Sequence, residues 1–180
     1  AFAFGGNLGL LADVQARGQA LPADRAITFT VNHDIPNNGI FRNWLLDPVD
    51  ETLAYAYIIG RGQGAVLVYS DHNESNDARW IDAWRRADLA AMNRFHHTTA
   101  GEPMTVLAAA PCHLLFSRGR RGLVGINKCG EAVDLELPTS ADKLWRNASY
   151  RDVLGTNAFT TQEITRITLP ARSARMWLRE

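Results

Sequence analysis

Long apolar runs are missing from this 180-residue chain. Nothing approaches the roughly 20 consecutive apolar residues that cross a bilayer, and no charged segment leading into a short apolar core resembles a signal peptide. An excess of one charge is missing too. The 19 basic and 19 acidic residues cancel, which argues against a nucleic acid or an anionic membrane as a partner chosen by bulk electrostatics. Neutral or dipolar ligands fit better. No internal repeat or low-complexity tract is visible, and otherwise the composition is that of an ordinary globular protein, long enough to bury one core or two small ones. Methionine does not occur before Met92 and the chain opens on Ala1, so the amino terminus is expected to be the product of processing or of a cut.

Cysteine is scarce, and neither the count nor the spacing of Cys112 and Cys129 suggests a metal site. The segment between them, with L-L-F-S-R-G-R-R-G-L-V-G-I-N at its centre, reads as a hairpin turning at residues 119–122. Such a hairpin brings the two sulfurs to its open end, close enough to pair. On the loop-entropy account the bridge stabilises by about 3 kcal/mol and points to an oxidising compartment. Two separate buried thiols are the alternative.

The stretch that organises the rest is 26–38, A-I-T-F-T-V-N-H-D-I-P-N-N. Residues rich in Ile, Val, Thr and Phe predict a strand that delivers His33 and Asp34 to its carboxyl end, where open α/β sheets and β/α barrels keep their chemistry. The two side chains point to opposite sides of the pleat unless the backbone bends, and Pro36 makes a bend the expected outcome. Before this strand, residues 1–11 are apolar and glycine-rich, leading into a short helix over 8–16. Gly5, Gly6 and Gly9 fail as a phosphate cradle, since no clear strand precedes them and no Lys follows.

After it, Asp47-Pro48 with acids at 50 and 51 marks a helix start that runs to Gly60. Residues 64–70, G-A-V-L-V-Y-S, read as a strand buried on both faces, completing a βαβ unit. Asp71 and His72 then repeat the strand-end placement of His33 and Asp34 in reverse order. A helical period holds over 78–97, broken once near Arg85, with Trp80 and Trp84 both expected in the core and His96-His97 at the surface. Beyond Gly101-Glu102-Pro103 the pattern changes to short strands, at 104–109, 113–117, 123–127, 132–137, 143–147, 163–169 and 174–178. With frequent turns and no amphipathic helix, these predict a small antiparallel sandwich. Arg120-Arg121 falls at a turn tip.

Phe29-Thr30-Val31-Asn32-His33-Asp34 resembles the F-x-x-N-H-D motif of the α-amylase superfamily, glycoside hydrolase family 13, and Gly122 to Lys128, G-L-V-G-I-N-K, resembles the G-x-V-x-x-N strand of that family's carboxyl-terminal domain. The order of elements is similar throughout the chain. The resemblance implies residues 1–101 as the last two to three β/α units of a (β/α)8 TIM barrel, and 102–180 as an antiparallel β-sandwich domain. It implies Asp34 as the third catalytic carboxylate, gripping sugar hydroxyls as the ring becomes oxocarbenium-like, with His33 and Asn32 beside it. Trp44 is a candidate stacking platform, and Asp71 and His72 are further candidate sugar contacts.

Retaining hydrolysis needs a nucleophile and a protonated acid about 5 Å apart. The family's nucleophile block, G-x-R-x-D, and the amino-terminal D-x-x-x-N-H block that comes before it do not occur here; Arg86-Ala87-Asp88 carries R-x-D, but inside a helix and after the motif. No cofactor is implied in this chain, although calcium can belong to the complete enzyme. Expected partners are an α-1,4-glucan and the missing barrel portion, as a separate fragment, a subunit or through self-association. A secreted protein, extracellular or periplasmic, is implied. The competing readings are a non-catalytic α-glucan-binding or regulatory fragment, a hydrolase recruiting Asp71 or Glu74, and a merely structural His33-Asp34 pair.

Overall fold

A computed structural model describes residues 1–3, 5–72, 74–137, 148–156, 158–160 and 165–180. The expected helix over 8–16 is only a 3-10 turn, Leu8–Leu11, capped by the Asn7 side chain accepting from Gly9 N–H. Leu8 alone is buried there, so no apolar stripe holds a longer helix to the core. Strand β1 is Ile27–Thr28 and β2 is Ala65–Val66, parallel in the register Ile27↔Ala65 and Thr28↔Val66. Between them come α1 (Asp34–Asn37), a 3-10 turn (Phe41–Trp44) and α2 (Pro48–Gly60). The βαβ order is therefore as expected, but both strands are shorter. The strand over 64–70 is also not buried on both faces: Leu67 is 44% exposed, and Ile27 on its partner 67%. Parallel strands acquire two-sided burial from neighbours and covering helices, and this sheet has two strands.

Helix α2 begins as its sequence dictates. The Asp47 carboxylate accepts from Val49 and Asp50 N–H, each at 2.9 Å, and Pro48 takes the first helical position. The region 78–97 breaks twice, into 3-10 turns Ala78–Trp80 and Ala83–Arg85 and then α3 (Ala87–Thr98). Asp82, left-handed at φ 51°, sits between the two turns and resets the helical phase. Trp80 is consequently buried while Trp84 is 60% exposed under the Arg85 guanidinium, a correction to its expected place in the core.

The remainder is antiparallel: β3 (Met104–Ala109), β4 (His113–Arg118), β5 (Gly122–Asn127), β6 (Val133–Leu137), β7 (Ser149–Asp152), β8 (Ala158–Thr160), β9 (Thr165–Leu169) and β10 (Ser173–Arg179). Six of these form one sheet in the order β3-β4-β5-β10-β7-β8, and β6 pairs with β9 in a second. The strand expected at 143–147 and the start of that at 163–169 lie outside the described residues; β7 and β8 are additional. Because alternate residues face opposite ways, Phe116, Val124 and Met176 pack against Leu53, Ile59 and Phe95 of the helices. Their neighbours Leu115, Leu123 and Trp177 pack against Leu135, Ile167 and Leu169 of the second sheet. The helices and the large sheet thus share one core across residues 101–103.

Two devices reinforce this arrangement. Arg118, buried at the end of β4, donates to the carbonyls of Gly60 (2.7 Å), Thr99 (2.9 Å) and Glu102 (3.1 Å), so one cation caps the carboxyl ends of α2 and α3. The other is the Cys112–Cys129 disulfide at the open end of the β4–β5 hairpin, with a Cα separation of 5.1 Å. Closing 17 residues of sequence contributes about 3 kcal/mol through the unfolded chain. The double variant Cys112→Ser/Cys129→Ser is expected to lose about that much in urea unfolding, and the parent in reductant to lose the same. Equal midpoints for oxidised and reduced chains would refute the assignment.

Candidate functional site

Asn32 decides the local geometry. Its side-chain oxygen accepts from the backbone N–H of Asp34 (3.1 Å) and Ile35 (3.3 Å), turning the end of the expected strand into the start of α1. His33 is helical there, at φ −60° and ψ −26°. The bend brings the two candidate side chains together instead of on opposite sides of a pleat: His33 Nε2 lies 3.3 Å from Asp34 Oδ1, and both are largely in solvent. Val31, one residue before Asn32, is buried with Tyr69 and Trp80. Given the register of β1 and β2, His33-Asp34 and Asp71-His72 therefore leave the sheet at the same end.

Asp71 differs from Asp34 in environment. It is buried, and its Oδ2 accepts from Tyr69 O–H and Ser75 N–H, both at 3.2 Å, and from the Ser75 hydroxyl. Its own N–H donates to Trp80 O at 3.1 Å. This carboxylate holds a loop in place, with His72 and Glu74 exposed on that loop. Trp44 is 65% exposed and stacks at a tilt on Phe41, with ring centroids 4.6 Å apart, so one indole face is held steady in water.

Beneath the strand ends lies a support that the sequence reading missed. Glu51 of α2 is buried and accepts from Trp80 Nε1 at 3.1 Å, with Arg79 Nη1 at 3.4 Å. Burial lifts its pKa above the usual carboxylate value, and the Trp80 N–H and Arg79 pull it back only in part. Trp80 packs edge-on against Tyr69 at 5.7 Å, and Tyr69 donates to Asp71. The chain of contacts runs from α2 to the loop at the site. In the sequence, Glu51 carries only the signal of a first-turn acid.

Metal chemistry has little to work with here. Among the described residues one cluster has ligand atoms close enough for a metal, Cys112, His113 and Cys129, and its sulfurs are bonded to each other. Calcium takes oxygen ligands, so this cluster does not fit it. What remains chemically is an exposed carboxylate–imidazole pair able to accept and donate hydrogen bonds to a polyhydroxylated ligand, and an exposed indole on the 3-10 turn that neighbours α1.

This arrangement, a short parallel βαβ unit packed on an antiparallel domain, is matched by solved structures. The structure of an alpha-amylase from Malbranchea cinnamomea matches with a TM-score of 0.73 at 16% identity, over 99% of this chain and 42% of that one. The cyclomaltodextrin glucanotransferase CldA matches with a TM-score of 0.68 at 18% identity, over 98% of this chain and 41% of that one. These likenesses establish the fold. No protein-family model matches the chain. In sequence it is 45% identical over 177 residues to the "Alpha-amylase" of Aeromonas hydrophila, across 96% of its own length. The chain is an alpha-amylase homologue in sequence, and its fold is shared with alpha-amylase structures. It spans 38% of the length of that relative.

Proposed function

We propose that this chain is the carboxyl-terminal portion of an α-amylase-type glycoside hydrolase that cleaves α-1,4-glucans, such as starch and maltooligosaccharides, by double displacement. The observation that carries the reading is the 45% identity to the Aeromonas hydrophila protein over nearly the whole chain. Residues 1–101 are then the last β/α units of a (β/α)8 barrel and 102–180 its carboxyl-terminal β-domain. Exposed Ile27, Phe29 and Leu67 around the two-stranded parallel sheet support this, because parallel strands are covered on both faces and edges in a closed barrel. The remaining strands, with nucleophile and general acid, come from the rest of the same polypeptide or from a separate subunit.

In this reading Asp34 accepts hydrogen bonds from two ring hydroxyls, and His33 donates to the same sugar. These contacts tighten as positive charge develops on the ring, an effect worth several kcal/mol in glycoside hydrolysis. Trp44 stacks on a neighbouring glucose. Asp71 acts through the loop it anchors, with His72 as the contact. Any calcium is held by residues outside this chain. An extracellular or periplasmic location is part of the same reading, supported by the Cys112–Cys129 disulfide, since such bonds persist in oxidising compartments.

The test is reconstitution. The chain is co-expressed with the part of the Aeromonas enzyme that it does not span, and starch hydrolysis is assayed. Restored hydrolysis that Asp34→Asn abolishes, with circular dichroism unchanged, is the expected result. Full turnover in the Asp34→Asn chain would reject the assignment.

A further inference from the structure

Arg61, the residue that closes α2, is 8% exposed and has no carboxylate within ion-pair distance among the described residues. Its Nη2 donates to the neutral amide of Gln63 at 3.1 Å, its Cζ lies 5.5 Å from the Tyr57 ring centre, and its Nε is buried without an acceptor. Other buried or half-buried arginines are treated differently. Arg118 has three carbonyls, Arg79 has Glu51 and Asp77, and Arg175 has Asp152. A cation taken from water without a counter-charge costs free energy that the remainder of its surroundings has to offset.

Two cavities meet at this guanidinium. One, about 470 Å³, lies between the 11–16 segment and β3; the other, about 230 Å³, lies beside the start of β1. Gln15, Arg61 and Gln63 line both. The one acid on the walls, Asp13, faces Arg17 at 3.8 Å. Gln63 and Gly64 precede β2, so the place is at the amino ends of the strands, the opposite end from His33 and Asp34.

A planar fork of N–H donors flanked by amides is matched by an oxyanion, which it can bind through two parallel hydrogen bonds. We infer that the junction of these cavities is an oxyanion site anchored by Arg61, taking a small molecule that carries a phosphate or carboxylate group. The volume beyond the guanidinium leaves room for the body of a phosphate monoester as well as for free phosphate. This site stands independently of the glucan reading.

The test titrates the folded chain with orthophosphate, glycerophosphate and acetate at ionic strength matched with chloride, read by calorimetry and by thermal midpoint. Saturable binding of these anions, at least about tenfold weaker in Arg61→Gln, is expected. Tighter glycerophosphate than orthophosphate assigns the site to monoesters, and equal affinities assign it to the free anion. Gln63→Glu keeps the side chain's shape and puts a carboxylate beside Arg61. It is expected to raise the midpoint in anion-free buffer and to abolish the response to anions. No saturable signal from any probe, or undiminished binding in Gln63→Glu, would overturn the inference.

Discussion

Replacing Arg118 by Met is expected to cost about 4 kcal/mol or more of unfolding free energy. The buried guanidinium donates to three carbonyls, of which Gly60 O and Thr99 O are among the last of their helices. The substitution removes the donors and cannot remove the acceptors. Each buried acceptor left without a partner costs about 1–3 kcal/mol, and hydrogen bonds from a charged donor are worth more than neutral ones. Replacing a buried charge by an apolar side chain can be neutral when both partners of a pair are removed together; backbone carbonyls exclude that escape here. Burial draws the Arg118 pKa below the ordinary guanidinium value, with the nearby Glu102 carboxylate drawing it back.

Urea unfolding at neutral pH checks this, and Arg118→Lys is expected to recover part of the loss, since an ammonium can serve the carbonyls but not as a planar fork. A loss under about 1 kcal/mol in Arg118→Met would mean that water replaces the guanidinium without cost. Gly62 belongs to the same device. At φ 69°, a Cβ there would come within 2.0 Å of the guanidinium, so Gly62→Ala acts on the arginine as well as on the backbone.

How far all this was legible varies by element. The start of α2 was, because an Asp cap and a Pro at the first position act through their own backbone neighbours. So was the β4–β5 hairpin with its disulfide, where glycines at the turn and apolar strands agree. Arg118 was not. In S-R-G-R-R-G it looks like Arg120 and Arg121, which stay exposed at the turn, and only tertiary packing decides which of the three is buried. Trp84 misled for a related reason. Four-residue spacing from Trp80 implies a shared face only while the helix continues, and the left-handed Asp82 ends that continuity.

The candidate site was legible as chemistry and less so as shape. N-H-D named the residues, yet the strand expected to carry them is two residues long, because a strand's length depends on neighbours that no local pattern encodes. The Asn32 cap that swings Asp34 toward His33 follows from a known habit of Asn at a helix start, which the apolar run before it obscured. Glu51, Tyr69 and Trp80 assemble from three places in the chain, so their partnership with Asp71 has no sequence signature.

The chain is expected to unfold steeply above pH 10. All four of its tyrosines, Tyr55, Tyr57, Tyr69 and Tyr150, are buried, and burial is in each the main cause that raises the phenol pKa. For Tyr150 the value is pushed up to about 12 from an ordinary 10. The folded state thus keeps protons that the unfolded chain releases, so stability is fully present below pH 10 and falls as pH rises toward the folded values. At about 1.4 kcal/mol per unit, Tyr150 alone accounts for roughly 3 kcal/mol across its window. The other three act in the same direction, and with both cysteines bonded no thiol titration competes. Tyrosinate absorbance is expected to appear together with loss of the circular dichroism signal, as one transition. Tyr150→Phe, which retains the ring stacked 5.3 Å from Phe159, is expected to flatten part of the alkaline loss. Tyrosinate appearing near pH 10 with the dichroism intact would mean that the phenols reach water in the folded chain, and the expectation would fail.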